Sequence, residues 1–206
     1  MKTLELFAGT QSFSKGVKAL YPDAECITVD ILDKFNPTIQ IDILQFNYRQ
    51  YKEGEFDIVW CSPPCNEYSK AKTRGNRNLV LADSLVRKCF EVIDYLKPKA
   101  WIVENVGTGL LVGRMNDIRA GLNSYFADYC AYGKPYRKRT IFWSNKQLAF
   151  NLCGGEGVCG QMTGKKHNGS CGNGTKKYNS VGISSVWEKD AIPERLIESI
   201  IRQLLA

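Results

Sequence analysis

No run of apolar residues in this 206-residue chain is long enough to cross a bilayer. Nor does the opening, MKTLELFAGT, read as a secretory signal, because Glu5 interrupts its one apolar run. Without such a signal, eight cysteines do not imply a disulfide framework. A reducing, cytoplasmic setting is expected instead. Cys26, Cys89 and Cys130 lie inside apolar patterns and read as small core residues. No internal repeat or linker marks off a second full domain, so one compact domain is expected, as a monomer.

Acidic residues are nearly missing from one stretch. Between Cys130 and Ser180 there are nine Lys/Arg and a single acid, Glu156. The other 19 of the 28 basic residues are matched by 20 of the 21 acids, so the entire excess of positive charge sits in that segment. Such clustering suits a polyanion-binding face, and equally a solvated loop with spare lysines. Asn151 to Gly182 also lacks any apolar period and holds nine of the 18 glycines. It reads as a recognition loop, or as a small insert held by something other than a core.

What is present is an alternation of strands and helices. Residues 3–7 read as a strand, followed by a glycine-containing turn and a helix to about Leu20. ECITVD and TIQIDI read as second and third strands, ending at Asp30 and near Asp42, and FDIVW as a fourth. Leu79 to Leu96 carries a helical apolar stripe stopped by Lys97-Pro98, and AWIVEN is a fifth strand. YFADYCAYG and TIFWSN form a final pair around a basic turn, and IPERLIESIIRQLL closes the chain as a helix. Nearly all-apolar strands between helices imply a parallel sheet covered on both faces. Ligands gather at the carboxyl ends of such strands. There the chain places Gly9, Asp30, Asp42, Cys65 and Glu104-Asn105. That convergence predicts one active site.

Three of these strand ends carry motifs. LELFAGTQSFSKG, SPPCNEYS and VENV resemble, in order, the Phe-Ala-Gly, Pro-Cys and Glu-Asn-Val motifs of the cytosine carbon-5 DNA methyltransferases. YGKPYRKRTIFWSN is similar to the family's later basic motif and AIPERLIESII to its closing helix. The resemblance covers roughly residues 1–145 and 190–206, and the compact build is similar to phage or prophage members, in a bacterial or phage-infected host cell. It implies an α/β, Rossmann-like S-adenosylmethionine-dependent methyltransferase fold. The sheet would be mostly parallel and doubly wound, with a C-terminal antiparallel strand pair and a small Gly/Cys-rich insert. The division would be a catalytic core over 1–147, a short target-recognition-like insert over 148–189 and a closing helix over 190–206.

The chemistry explains the residue types. Carbon 5 of cytosine is a poor nucleophile, and a thiolate adding to carbon 6 makes the ring an enamine that can take a methyl group. Cys65 is the expected nucleophile. Free thiols titrate near ~8.5, so the site must favour the thiolate or remove its proton during attack. The resemblance gives Glu104 the role of proton donor to the ring, with Asn105 helping to fix the site. Arg137 and Arg139 are the expected arginines of the basic motif. The chain departs from that motif, with Tyr136 in place of its glutamine and Arg137-Lys138-Arg139-Thr140 permitting two registers.

For the cofactor, S-adenosylmethionine, the expected binding residues are Phe7, Ala8, Gly9, Thr10, Asp30, Ile31, Asp42, Ile43 and Pro63. The resemblance implies that Asp30 binds the ribose hydroxyls and Asp42, with Ile43, the adenine amino group, while Gly9 lets the backbone approach the methionine part. Gln11 and Ser12 stand where the family often has glycines. The partner would be double-stranded DNA with the target cytosine flipped out. Lys70, Lys72, Arg74 and Arg77 would sit on a mobile loop that closes over DNA, and Lys165, Lys166, Lys176 and Lys177 would contact phosphates. Cys153, Cys159, His167 and Cys171 are all zinc-ligand types, but their spacing matches no standard finger. They form a possible zinc set, with reactive or incidental thiols as the preferred reading and no metal assigned.

Other readings stay open. An exocyclic amino methyltransferase would have an aromatic residue where SPPC has its thiol, and would leave VENV unexplained. An RNA acceptor such as tRNA shares the same chemistry. An inactive DNA-binding relic is supported by the altered Gly9-Thr10-Gln11 turn and the irregular basic motif.

Overall fold

The computed structural model describes residues 1–169 and 191–206. The first half contains β1 (Lys2–Leu6), α1 (Ser12–Leu20), β2 (Glu25–Asp30), β3 (Ile39–Gln40), β4 (Ile58–Cys61) and α2 (Leu79–Leu96). Then come β5 (Ala100–Val106), α3 (Leu111–Ile118), β6 (Asn123–Asp128), β7 (Arg139–Ser144), a small hairpin of β8 (Met162–Thr163) and β9 (Lys166–His167), and α4 (Glu194–Leu205).

Seven strands form one sheet in the order β3-β2-β1-β4-β5-β7-β6. The first five are parallel, and β7 runs antiparallel to both β5 and β6. Period-two alternation sends side chains to two cores. Leu4, Leu6, Val59, Cys61, Trp101 and Val103 join the cluster that includes α2 and α3 residues. Ile58, Trp60, Ala100 and Ile102 join the one that includes α1 and α4 residues. The sheet is thus covered on both faces, as its nearly all-apolar strands require. From β1 the chain winds outward through β2 and β3, then returns to β4 on β1's other side. Beside β1 and β4 the winding reverses, and a crevice opens at such a point.

Three elements differ from the sequence reading. The third strand is only two residues long, because the Asp42 carboxylate accepts the Leu44 N–H at 2.9 Å and starts a 3-10 turn. β6 stops at Asp128, and Tyr129–Tyr132 coils into a 3-10 turn rather than extending. Helix α3 has no counterpart in the reading, since it is short and Gly113 interrupts its apolar pattern. No helix among the described residues is long and apolar enough to cross a membrane.

The closing helix is locked in place at both ends. Gln203 of α4 accepts the Ala149 N–H at 2.7 Å and donates to the Ala149 carbonyl at 3.2 Å. Just before α4, the Ile192 N–H reaches the Ser12 hydroxyl at 3.2 Å. Along its length α4 lies on α1, and Gly16 is what lets the two helices meet. A Cβ at Gly16 would sit 2.2 Å from Cγ2 of the buried Ile197. Helix propensity alone would make Gly16→Ala stabilising by about 1 kcal/mol. Overpacking against Ile197 costs about 1–3 kcal/mol, so we expect the variant to be net destabilised in denaturant unfolding. A gain in stability would show that the helices do not pack this closely.

Candidate active site

The loop after β1 is shaped by left-handed backbone at Phe7 (φ 57°), Gly9 (φ 47°) and Gln11 (φ 57°). Gly9 suits that geometry; the other two bear its cost. Gln11 therefore keeps a backbone shape that a glycine would adopt freely. Its side-chain amide is tied to the Phe35 and Asn36 carbonyls at 2.6 and 3.2 Å. Asp30, at the end of β2, receives the Gly9 N–H at 2.8 Å on one carboxylate oxygen and the Leu32 N–H at 2.8 Å on the other. The loop and the carboxylate thus fix each other.

These groups line a cavity of about 270 Å³ over the carboxyl ends of the strands. Phe7, Ala8, Gly9, Thr10, Asp30, Ile31 and Pro63 face it, together with Cys65, Glu104 and Asn105. Cys65 and Glu104 are thus walls of the same space. An adjoining cavity of about 190 Å³ shares Phe7, Asp30, Ile31 and Pro64, and adds Asp42, Ile43, Leu44, Leu81 and Leu85. A slot with aliphatic walls and one acid suits a flat heterocycle with an amino group, and an acid beside glycine backbone suits a hydroxylated sugar. The donor set fits S-adenosylmethionine.

Asn105 is buried, and its amide does not point at solvent. It donates to the Pro63 carbonyl at 2.9 Å, while its own oxygen accepts the Val106 N–H at 3.0 Å. The amide thereby ties the Pro-Pro-Cys turn to the end of β5. Beyond Cys65 the chain turns back, with the Tyr68 and Ser69 N–H groups donating to the Cys65 carbonyl at 3.0 and 2.8 Å. Tyr68 is fully buried and donates to Asp83 at 2.9 Å, and Asp83 pairs with Arg114. Burial, reinforced by Asp83, pushes the Tyr68 phenol far above its usual range.

Four expectations are corrected or narrowed. Arg137 and Arg139 are not walls of the cavity. Both engage the fully buried Asp128, Arg139 in bidentate fashion at 3.0 and 2.7 Å and Arg137 at 3.3 Å. Burial alone would raise the Asp128 pKa. The Arg139 bonds, the Cys153 N–H and the two guanidinium charges outweigh it and hold the carboxyl below its usual value. Lys138, between the two arginines in sequence, does line the cavity.

The segment after Cys65 is also more tied than a mobile loop would be. Lys72 binds Glu67 at 2.6 Å and the Asn76 carbonyl at 3.0 Å, while Arg77 donates to the carbonyls of Glu67, Ser69 and Lys72. Lys72 and Arg77 are internal staples here, and Lys70 and Arg74 are the exposed cations. Lys165 and Lys166 are exposed at the β8–β9 turn, while Lys176 and Lys177 lie outside the described residues. Finally, Cys153, Cys159 and His167 do come together, and the fourth member among the described residues is Cys130. Cys171 lies outside the described residues. Cys130 is buried as expected of a core thiol, yet its sulfur belongs to this group.

A family model described as C-5 cytosine-specific DNA methylase matches residues 1–128, which contain the β1 loop, both strand-end acids, the Cys65 turn and the Glu104-Asn105 pair. The chain belongs to this family. It is 37% identical over 177 residues to a Frog virus 3 (isolate Goorha) protein named "Probable DNA (cytosine-5)-methyltransferase", covering 79% of each chain. Among solved structures it is similar to an E. coli prophage-encoded protein described as a "putative DNA modification methyltransferase". The TM-score is 0.52 at 15% identity, over 72% of this chain and 49% of that one. It is also similar to an Entamoeba histolytica methyltransferase, with TM-score 0.49 at 16% identity, over 73% of this chain and 56% of that one. The chain thus spans about half the length of the solved structures it matches. Family members are in general S-adenosylmethionine-dependent enzymes.

Glu5 is a site residue that the sequence reading did not pick out. It sits on β1 between Leu4 and Leu6, is 3% exposed and lines the larger cavity. It accepts the Phe13 and Ser14 N–H groups at 3.3 and 3.0 Å, at the positive end of α1. Burial raises its pKa from 4.5 to about 7, despite the opposing pull of the Ser14 and Phe13 bonds and of Lys15. Between those values the folded chain keeps a proton that the unfolded chain has released. Stability contributed by this group is therefore complete below pH 4.5 and is lost as pH rises through about 7. The whole loss is on the order of 3 kcal/mol. We expect the stability of the wild type, relative to Glu5→Gln, to fall by this order between pH 4.5 and 8. Parallel stability profiles for the two proteins would refute the assignment.

Proposed function

We propose that this chain methylates carbon 5 of a cytosine in DNA through a covalent adduct on Cys65. The observation that carries this reading is the shared cavity of Cys65 and Glu104, which opens beside the Asp30 loop. S-adenosylmethionine, when bound, supplies an electrophilic methyl carbon on a sulfonium. Asp30 would hold its ribose hydroxyls, and the Asp42–Ile43 slot its adenine. Phe7 to Thr10 and Pro63 would lie along the methionine part.

The sulfur of Cys65, as thiolate, adds to carbon 6 of the cytosine. Ring nitrogen 3 takes a proton from the Glu104 carboxyl, so no negative charge accumulates on the ring. Carbon 5 of the resulting enamine would take the methyl group, and the donor would depart as a neutral thioether. Loss of the carbon 5 proton to a base then expels the Cys65 thiolate, restores the aromatic ring and returns the nitrogen 3 proton to Glu104. Asn105 acts in this reading as a positioning residue. It holds the Pro63 carbonyl and so sets where the thiol stands.

In stacked DNA both ring carbons are out of reach, so the base must leave the helix at a cost of a few kcal/mol. Lys138 on the cavity wall and the exposed Lys70, Arg74, Lys165 and Lys166 would recover affinity from phosphates. Arg137 and Arg139 act in this reading through Asp128, as positioning residues for the turn that carries Lys138.

Duplex DNA carrying 5-fluorocytosine tests the reading directly, since the missing carbon 5 proton prevents release. A cofactor-dependent covalent complex is expected on Cys65, and none with Cys65→Ala. Glu104→Gln should lower kcat by about 10²–10⁴-fold with cofactor affinity kept. Methylation by Cys65→Ala would rule out the covalent route. Trapping on tRNA but not on DNA would overturn the acceptor.

A further inference from the structure

We propose that Cys130, Cys153, Cys159 and His167 form a structural zinc site that fastens the Gly/Cys-rich segment to the methyltransferase core. The four ligand atoms all lie within 4.8 Å of one another. Nε2 of His167 is 3.5 Å from the Cys153 sulfur and 3.7 Å from the Cys159 sulfur. A tetrahedral zinc with Zn–S of about 2.3 Å and Zn–N of about 2.05 Å requires a sulfur–nitrogen edge of about 3.6 Å. Both measured edges match it. Three thiols and one imidazole complete a closed coordination shell with no position left for substrate, which marks a structural centre rather than a catalytic one.

The surroundings supply a second argument. None of residues 149–169 is buried, and Leu152 and Val158 are 49% and 72% exposed. A segment without a core must be held some other way, and four metal bonds provide that. The ligands come from both sides of the basic turn. Cys130 sits in the 3-10 turn that follows β6, Cys153 and Cys159 in the glycine-rich loop after β7, and His167 on β9.

The outer contacts fit as well. The Cys153 N–H donates to Asp128 at 2.9 Å, and Asp128 also holds Arg137 and Arg139. Zinc with three thiolates carries one net negative charge. The two arginines less Asp128 carry one positive charge, so the assembly is neutral overall. On binding, the three thiols would release their protons to solvent and bond the metal as thiolates. The proposal stands independently of the methyl-transfer reading.

Zinc is to be measured by elemental analysis on the full chain purified under reducing conditions, and cobalt(II) used as a spectroscopic probe. We expect about one zinc per chain, and on cobalt exchange the ligand-field and thiolate charge-transfer bands of a tetrahedral site. Cys130→Ser, Cys159→Ser and His167→Gln should each lose the metal, whereas Cys171→Ser should keep it. If the buried Cys130 variant does not fold, the two at half-exposed positions carry the test. A metal-free reduced protein without a cobalt thiolate band overturns the proposal, as does a disulfide among these cysteines in the native chain. Metal retained by both Cys159→Ser and His167→Gln, or lost from Cys171→Ser, overturns this ligand set.

Discussion

The parallel pairing of β4 with β5 is what the proposed chemistry depends on. In that register Cys61, the last residue of β4, lies beside Val103, and β5 runs on past it to Val106. Glu104 is the next residue within β5, and Cys65 comes one rigid Pro-Pro turn after the end of β4. Two residues about forty positions apart in sequence thus reach one small space without any flexible spacer. The buried Asn105 amide then removes the remaining freedom by bonding Pro63. An unpaired carbonyl or amide at that depth would cost about 1–3 kcal/mol, so the two groups hold each other in place.

A second fixed point is Asp128. A carboxylate with no exposed surface must be paired, and here it accepts from two guanidiniums and one backbone N–H. Those three contacts join the end of β6, the basic turn and the loop that carries Cys153. Because Arg137 and Arg139 turn toward Asp128, Lys138 is left facing the cavity. The charge presented to the site is thus decided by a residue that never touches it.

Much of this was legible in the amino-acid sequence. Alternating apolar strands and helical stripes give the doubly wound sheet. The polar residues Asp30, Asp42, Cys65, Glu104 and Asn105 at successive strand ends do border the two adjoining cavities. The basic turn was not legible, since its pattern permits two registers and nothing in it shows that Arg137 and Arg139 engage Asp128. Lys72 and Arg77 read as free cations because a sequence does not reveal that Glu67 and nearby carbonyls claim them. Glu5 was hidden inside an apolar strand, and its alternation with Leu4 and Leu6 was the only signal. Cys130 was hidden for a similar reason, since a thiol in an apolar run looks like packing until the fold brings His167 beside it.

The Gln203 clasp on Ala149 and the Ser12 hold on Ile192 nail down the two points where the chain departs from the core and rejoins it. Whatever is strung between them can change in length or composition while the sheet and its crevice keep their shape, because loop-closure entropy grows only slowly with length. The molecule is therefore built like a tool with a fixed handle, to which pieces of different length can be attached without disturbing the crevice.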